Sequence, residues 1–164
     1  MNLQKIFLSF FGSGYAPKAP GTIGTLASMP LGLLILYYMG EKSLFTITFV
    51  ITVIGILEVN KYENSSGSHD DSWIVIDETA GVWLTMVITY QGFITHPTTT
   101  MAILAVTLSF FSFRLFDIWK PSTIGWIDRN LKGGLGVMLD DTLAGIAAGL
   151  LNLLIIKGVI EALY

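Results

Sequence analysis

The sequence predicts an all-α membrane protein, a polytopic helical bundle of about five spans with its N-terminus inside and its C-terminus outside. Three observations carry this. Apolar residues make up 52% of the 164 residues, charged residues only 13%, and the mean hydropathy is +0.67, a balance unlike that of a soluble globule. Runs at 22–39, 43–57, 98–113 and 142–156 hold few or no charges over lengths near the roughly 17–25 residues that cross a bilayer as a helix. The basic residues sort unevenly once spans are drawn. Lys5, Lys18, Lys61, Arg114, Lys120, Arg129 and Lys132 fall on one side, and only Lys42 and Lys157 on the other, which sets the orientation by the positive-inside tendency.

Taken in order, the spans are expected at 22–39, 43–60, 79–94, 98–116 and 141–159, within one domain covering 1–164. Pro30 lies inside the first, where the missing backbone donor bends a helix unless neighbours compensate. The third is short and starts beside Asp77 and Glu78, so its beginning belongs in protein or at the interface rather than in lipid. Residues 63–72 form the one polar stretch and read as a cytoplasmic loop. The first twelve residues lack a small-residue cleavage site and do not read as a signal peptide.

Several function classes are disfavoured at once. A net charge of −3 without a basic run speaks against nucleic acid as a partner. The absence of cysteine removes disulfides, thiolate metal sites and cysteine-based phosphatase chemistry. Every polar cluster of chemical interest, at 16–24, 69–78 and 114–141, falls on the predicted cytoplasmic side, as expected of an enzyme working at one leaflet. The weighed alternative, a small cation transporter or channel, needs acids in the middles of several spans, and only Glu58 is placed deeply enough.

Six carboxylates, Asp77, Glu78, Asp117, Asp128, Asp140 and Asp141, lie beside apolar segments where an unpaired charge is costly. A single acid of this kind is explained by a helix cap or an ion pair; six together call for a shared partner. Hard cations such as Mg²⁺ take oxygen ligands and coordinate substrate phosphates, and the pairs Asp77–Glu78 and Asp140–Asp141, each read as opening an apolar helix, are the best ligand candidates. Arg114, Lys120, Arg129 and Lys132 crowd into nineteen residues beside these acids and mark an anion site, an arginine for bidentate contact and a lysine as a mobile charge. For Lys120 and Arg129, headgroup anchoring is the plainer alternative. Two glycine-containing loops, 16–24 and 132–136, lead into helices and offer backbone N–H groups to phosphate, though neither carries a recognised nucleotide-loop pattern. His69 is a candidate proton shuttle beside two acids, whereas His96 reads as a surface residue; Tyr15, Trp73, Trp119 and Trp126 read as an interfacial aromatic belt.

Together these motifs resemble a known family. The string Gly14-Tyr15-Ala16-Pro17-Lys18-Ala19-Pro20-Gly21-Thr22, the segment Ile74-Val75-Ile76-Asp77-Glu78, Phe113-Arg114-Leu115-Phe116-Asp117 with Lys120-Pro121, Trp126-Ile127-Asp128-Arg129, and Lys132-Gly133-Gly134-Leu135-Gly136 followed by Asp140-Asp141-Thr142-Leu143-Ala144-Gly145 are similar in order and spacing to the phosphatidylglycerophosphatase A family over about residues 12–149. The resemblance implies an all-helical, Mg²⁺-dependent lipid phosphatase of the bacterial inner membrane that makes phosphatidylglycerol from phosphatidylglycerophosphate. It further implies catalytic weight on Asp77, Glu78, Asp117 and Asp141, metal ligation by Asp77, Glu78, Asp140 and Asp141, and phosphate binding by Lys18, Arg114, Lys120, Arg129 and Lys132. Thr22, Asp128, Gly133 and Gly134 are implied as supporting residues. Histidine-phosphatase and aspartyl-phosphate signatures are absent, and only part of the CDP-alcohol phosphotransferase signature is present. Metal-assisted hydrolysis remains, with either a metal-bound water or an aspartate as the attacking group.

Overall fold

The computed structural model describes residues 2–68, 71–94 and 97–163; His69 and His96 lie outside them. Six α-helices are present among the described residues, and no strand: α1 (Leu3–Leu8), α2 (Pro20–Ser66), α3 (Ile76–Phe93), α4 (Thr99–Trp119), α5 (Thr123–Asn130) and α6 (Gly133–Leu163), with a 3₁₀ turn at Ser13–Tyr15. Three of them, α2, α4 and α6, are long and apolar enough to cross a membrane. The all-helical expectation is met. Against the five expected segments, α2 joins the first two into one element, and α3 is a largely buried helix outside this set of three.

Packing shows that α2 nevertheless consists of two antiparallel arms. Gly40 has φ 81° and ψ 172°, outside helical geometry, so the helix breaks there rather than at Pro30, which is accommodated. Before the break, Gly24 lies against Val75 and Gly32 against Trp83 and Met86, so this arm runs parallel to α3. After it, Gly55 meets Met138 and Asn60 meets Gly134, so the second arm runs antiparallel to α6. Since α3 and α6 are themselves parallel, pairing Gly81 with Gly145, Thr89 with Asn152 and Gly92 with Ile156, the chain reverses direction at Gly40.

The middle of the bundle is α3, packed on by α2, α4 and α6. Its polar side chains are satisfied locally: the Thr79 hydroxyl returns to the carbonyl of the capping residue Val75 at 3.0 Å, the Thr85 hydroxyl to Gly81 at 2.9 Å, and Asn152 of α6 donates to Thr89 at 2.9 Å. Trp83, almost wholly buried, donates its indole N–H to the Ser28 carbonyl at 2.9 Å, and the bare backbone of Gly32 makes room for its ring. At the α3–α6 crossing a Cβ on Gly145 would stand 3.0 Å from the Gly81 carbonyl carbon, so the two backbones touch.

The last helix starts at Gly133, eight residues before the expected boundary at 141. Glycine there signals a loop in the sequence, but Gly134 and Gly136 are inside the helix, and Gly134 lets α6 approach the Ile56 backbone of α2. Asp140 and Asp141 consequently sit about two turns into α6, not at its opening.

Candidate functional site

Directions alternate along the bundle, so one end collects the start of α2, the start of α3, the end of α4, all of α5 and the start of α6. These segments enclose a pocket of about 330 Å³ lined by Gly21, Thr22, Asp77, Glu78, Arg114, Asp117, Lys120, Asp128, Asp140 and Asp141, with Ser72 and Gly136 beside them.

The acids have distinct placements. Asp77 and Glu78 occupy the first turn of α3, where the helix dipole favours anions; the capping position is Val75, so neither acid is consumed as a cap. Asp141 is 3% exposed and comes across from α6. One carboxylate oxygen from each of Asp77, Glu78 and Asp141 lies within 4.8 Å of the others, a spacing at which three oxygens can share one cation. Glu78 Oε2 is buried without a hydrogen-bond partner, as suits an oxygen awaiting an ion. The donor set is all carboxylate, the preference of a hard divalent cation, and the residues therefore fit Mg²⁺.

Asp140 is placed differently. Its Oδ2 takes the Lys120 ammonium at 2.6 Å and its Oδ1 accepts the Asp141 N–H at 2.9 Å, so it orients its neighbour and a cation. Lys120, at the C-terminal cap of α4 with φ 44°, is also bonded to Asp128 at 2.6 Å. Burial works against its charge, but the bonds to Asp128 and Asp140 outweigh burial and raise its pKa above the ordinary lysine value, so the ammonium stays charged across the working pH range. Asp128 forms the more exposed arm of this bridge, with a side chain 33% accessible against 7% for Asp140. Partly exposed ion pairs contribute about 0–1 kcal/mol, so Asp128→Asn is expected to lower kcat/KM by no more than roughly fivefold with the fold intact. Steady-state phosphate release measures this.

Arg114 is ion-paired with Asp117 three residues on, and its Nε is buried without a partner. The pairing turns the guanidinium toward the pocket, where a Cβ on Gly21 would come within 3.3 Å of its Nη1. Gly21 is thus required by close approach: the start of α2 lies directly against Arg114 and Glu78. Pro20 is at the first helical position, and the first helical bond runs from the Ile23 N–H to the Ala19 carbonyl. The N–H groups of Gly21 and Thr22 precede that bond at the pocket wall, and such groups bind anions.

Other predicted residues lie outside the pocket lining. Lys18, Arg129 and Lys132 are exposed and outside it, while Gly133 and Gly134 dock α6 on α2, the Gly134 N–H donating to Asn60 Oδ1 at 2.8 Å. Sequence reasoning placed Gly136 in a candidate phosphate loop but missed Ser72 in the lining and Asn60 at the α2–α6 contact. Ser72 is carried by a short loop fixed by Asp71, whose carboxyl is held below its usual range by hydroxyl donors Ser68 and Tyr62, and by Trp73, which stacks on Tyr15 at 5.4 Å.

A one-sided pocket with three converging carboxylates and an arginine on the same wall suits phosphate chemistry, and sequence comparison agrees. The phosphatidylglycerophosphatase A family model matches residues 6–156. The chain belongs to the phosphatidylglycerophosphatase A family. Phosphatidylglycerophosphatase A of Escherichia coli strain K12 is 37% identical over 143 residues, covering 86% of this chain and 77% of that one. The Haemophilus influenzae phosphatidylglycerophosphatase A is 35% identical over 142 residues, covering 84% and 79%. A Bacteroides thetaiotaomicron protein with a provisional phosphatidylinositol-3-phosphatase name is 36% identical over 140 residues, covering 83% and 82%. No solved structure is a significant match. As a family member with apolar helices, the chain is a membrane-associated phosphatase.

Proposed function

We propose that the chain hydrolyses the terminal phosphomonoester of phosphatidylglycerophosphate to phosphatidylglycerol and inorganic phosphate, using Mg²⁺ held by Asp77, Glu78 and Asp141. The convergence of those three carboxylates in the pocket that Arg114 also lines, in a chain of this family, is the observation that carries the reading. Water adds to phosphorus, the bond from phosphorus to the glycerol oxygen breaks, and that oxygen leaves with a proton as the alcohol. Arg114 holds two phosphoryl oxygens through its planar fork, and Asp117 keeps the fork oriented. Lys120, steadied by Asp140, supplies positive charge as the phosphoryl group transfers, and the Gly21 and Thr22 N–H groups hold a further oxygen. Bound here, a hard divalent ion neutralises phosphoryl charge and makes a coordinated water more acidic.

The pocket end faces the cytoplasm of a bacterial inner membrane in this reading, supported by the seven-to-two division of basic residues. The chain has no cysteine, so a single cysteine at Ser66 reports orientation: an impermeant reagent should leave it unlabelled in intact cells and label it after lysis. The transporter alternative finds no support. Glu58, its one deep acid, pairs with Lys61 only two residues from Asn60, at the same end as the pocket.

The deciding experiment is phosphate release by purified protein from phosphatidylglycerophosphate and, because of the Bacteroides relative, from phosphatidylinositol 3-phosphate. Preference for the former is expected. Release from the inositol lipid alone would replace the substrate assignment, and release from neither would end it.

A further inference from the structure

We infer that a second, apolar groove on the membrane-facing side receives an acyl chain of the lipid whose phosphate enters the polar pocket; this rests on the lipid-phosphatase reading above. The first arm of α2 and α4 each pack on α3 but meet one another only marginally, which leaves a slot between them floored by α3. Its volume is about 380 Å³, and its walls include Leu33, Leu36 and Tyr37 from α2, Met86 from α3, and Ala102 and Ala105 from α4. Tyr37 at the rim is 82% exposed, so the slot is open along the bundle flank.

The helices it shares with the polar pocket select the occupant. The same two helices flank both sites: α2 supplies Gly21 and Thr22 above and Leu33 and Leu36 below, and α4 supplies Arg114 and Asp117 above and Ala102 and Ala105 below. At 1.5 Å per residue, Leu33 is about 17 Å along α2 from Thr22, and Ala102 about 22 Å along α4 from Asp117. One leaflet of hydrocarbon is about 15 Å deep, half of a roughly 30 Å core. With the terminal phosphate at Arg114 and glycerol units in between, the groove lies where the acyl portion of the same molecule runs. A peptide would leave backbone polar groups unsatisfied there, whereas a hydrocarbon chain has none. The small side chains of Ala102 and Ala105 leave the width a chain needs.

The test compares kcat/KM on dipalmitoyl and dihexanoyl phosphatidylglycerophosphate, in detergent, for the wild type, Ala102→Phe, Ala102→Leu and Ile103→Phe. Ile103 is on the same helix, 63% exposed and outside the groove, so its variant controls for added bulk. Filling the groove with Phe should reduce the long-to-short ratio by about tenfold, the scale of losing burial for roughly two methylenes, with a smaller shift in the same direction for Leu and none for Ile103→Phe. An unchanged ratio in both Ala102 variants, or equal loss on both substrates, overturns the acyl site and leaves the groove to bulk lipid or packing. Wild-type protein inactive on both lipids would overturn the phosphatase reading itself, a different result.

Discussion

Asp141→Asn is expected to lower phosphate release by about three orders of magnitude, with the residual activity needing more Mg²⁺ than the wild type. The carboxylate comes from α6 to meet Asp77 and Glu78 from α3, and one oxygen of each is within 4.8 Å of the others. The amide keeps the shape but withdraws a negative charge from the set, so cation affinity and phosphoryl neutralisation fall together, and electrostatic contributions of this type are commonly worth 10²–10³ or more. Excess EDTA should abolish wild-type turnover, and readdition of Mg²⁺ should restore it. Asp140→Asn should differ: Asp140 holds Lys120, so its loss should weaken substrate handling while leaving the Mg²⁺ requirement near normal. Calorimetric Mg²⁺ titration of both variants separates the roles without relying on activity. Equal Mg²⁺ affinity in Asp141→Asn and wild type would remove Asp141 from the metal set.

The second large effect is a single methyl group. Gly81→Ala should reduce activity by about 10²-fold or more and lower thermal stability, because its Cβ would stand 2.7 Å from the Asp141 carbonyl oxygen and 2.8 Å from Phe113 Cζ. Gly81 is one turn along α3 from Asp77, so whatever relieves the clash moves the Asp77–Glu78 turn away from Asp141. Overpacking of a buried contact costs about 1–3 kcal/mol, and a displacement near 1 Å between catalytic groups can cost about 10²-fold in rate. Gly158→Ala is the matched control, since nothing lies within 4 Å of its Cβ position, and it should be silent. Thermal unfolding followed by circular dichroism, with phosphate release on the same samples, checks both. A Gly81→Ala protein with wild-type rate and stability would show that the α3–α6 contact is looser than the packing requires.

Arg114→Lys completes the division of labour. The charge survives but the planar fork is lost, so turnover should drop while the Mg²⁺ titration stays unchanged. A shifted Mg²⁺ requirement would place Arg114 in the metal's environment rather than on the phosphate.

Composition alone determined that this chain is helical and belongs with membranes, because in hydrocarbon a backbone must satisfy its own polar groups and long uncharged runs leave helices as the solution. Charge economy singled out the acids too: in so apolar a chain, Asp77, Glu78, Asp117, Asp128, Asp140 and Asp141 each needed a reason to be there, and all six line one pocket. What sequence could not assign was partnership. The adjacent pair Asp140–Asp141 reads as one unit, yet successive helical residues point about 100° apart, so Asp141 turns to α3 and Asp140 to Lys120. Nor could it distinguish the glycines. Those at 133 and 134 read as a phosphate loop because glycine marks turns, but they serve a backbone contact with α2 that exists only after the chain has reversed at Gly40. The weak third segment is ambiguous in sequence because it is short and opens beside Asp77 and Glu78, and only the surrounding helices, by enclosing it, decide that it forms the centre of the bundle.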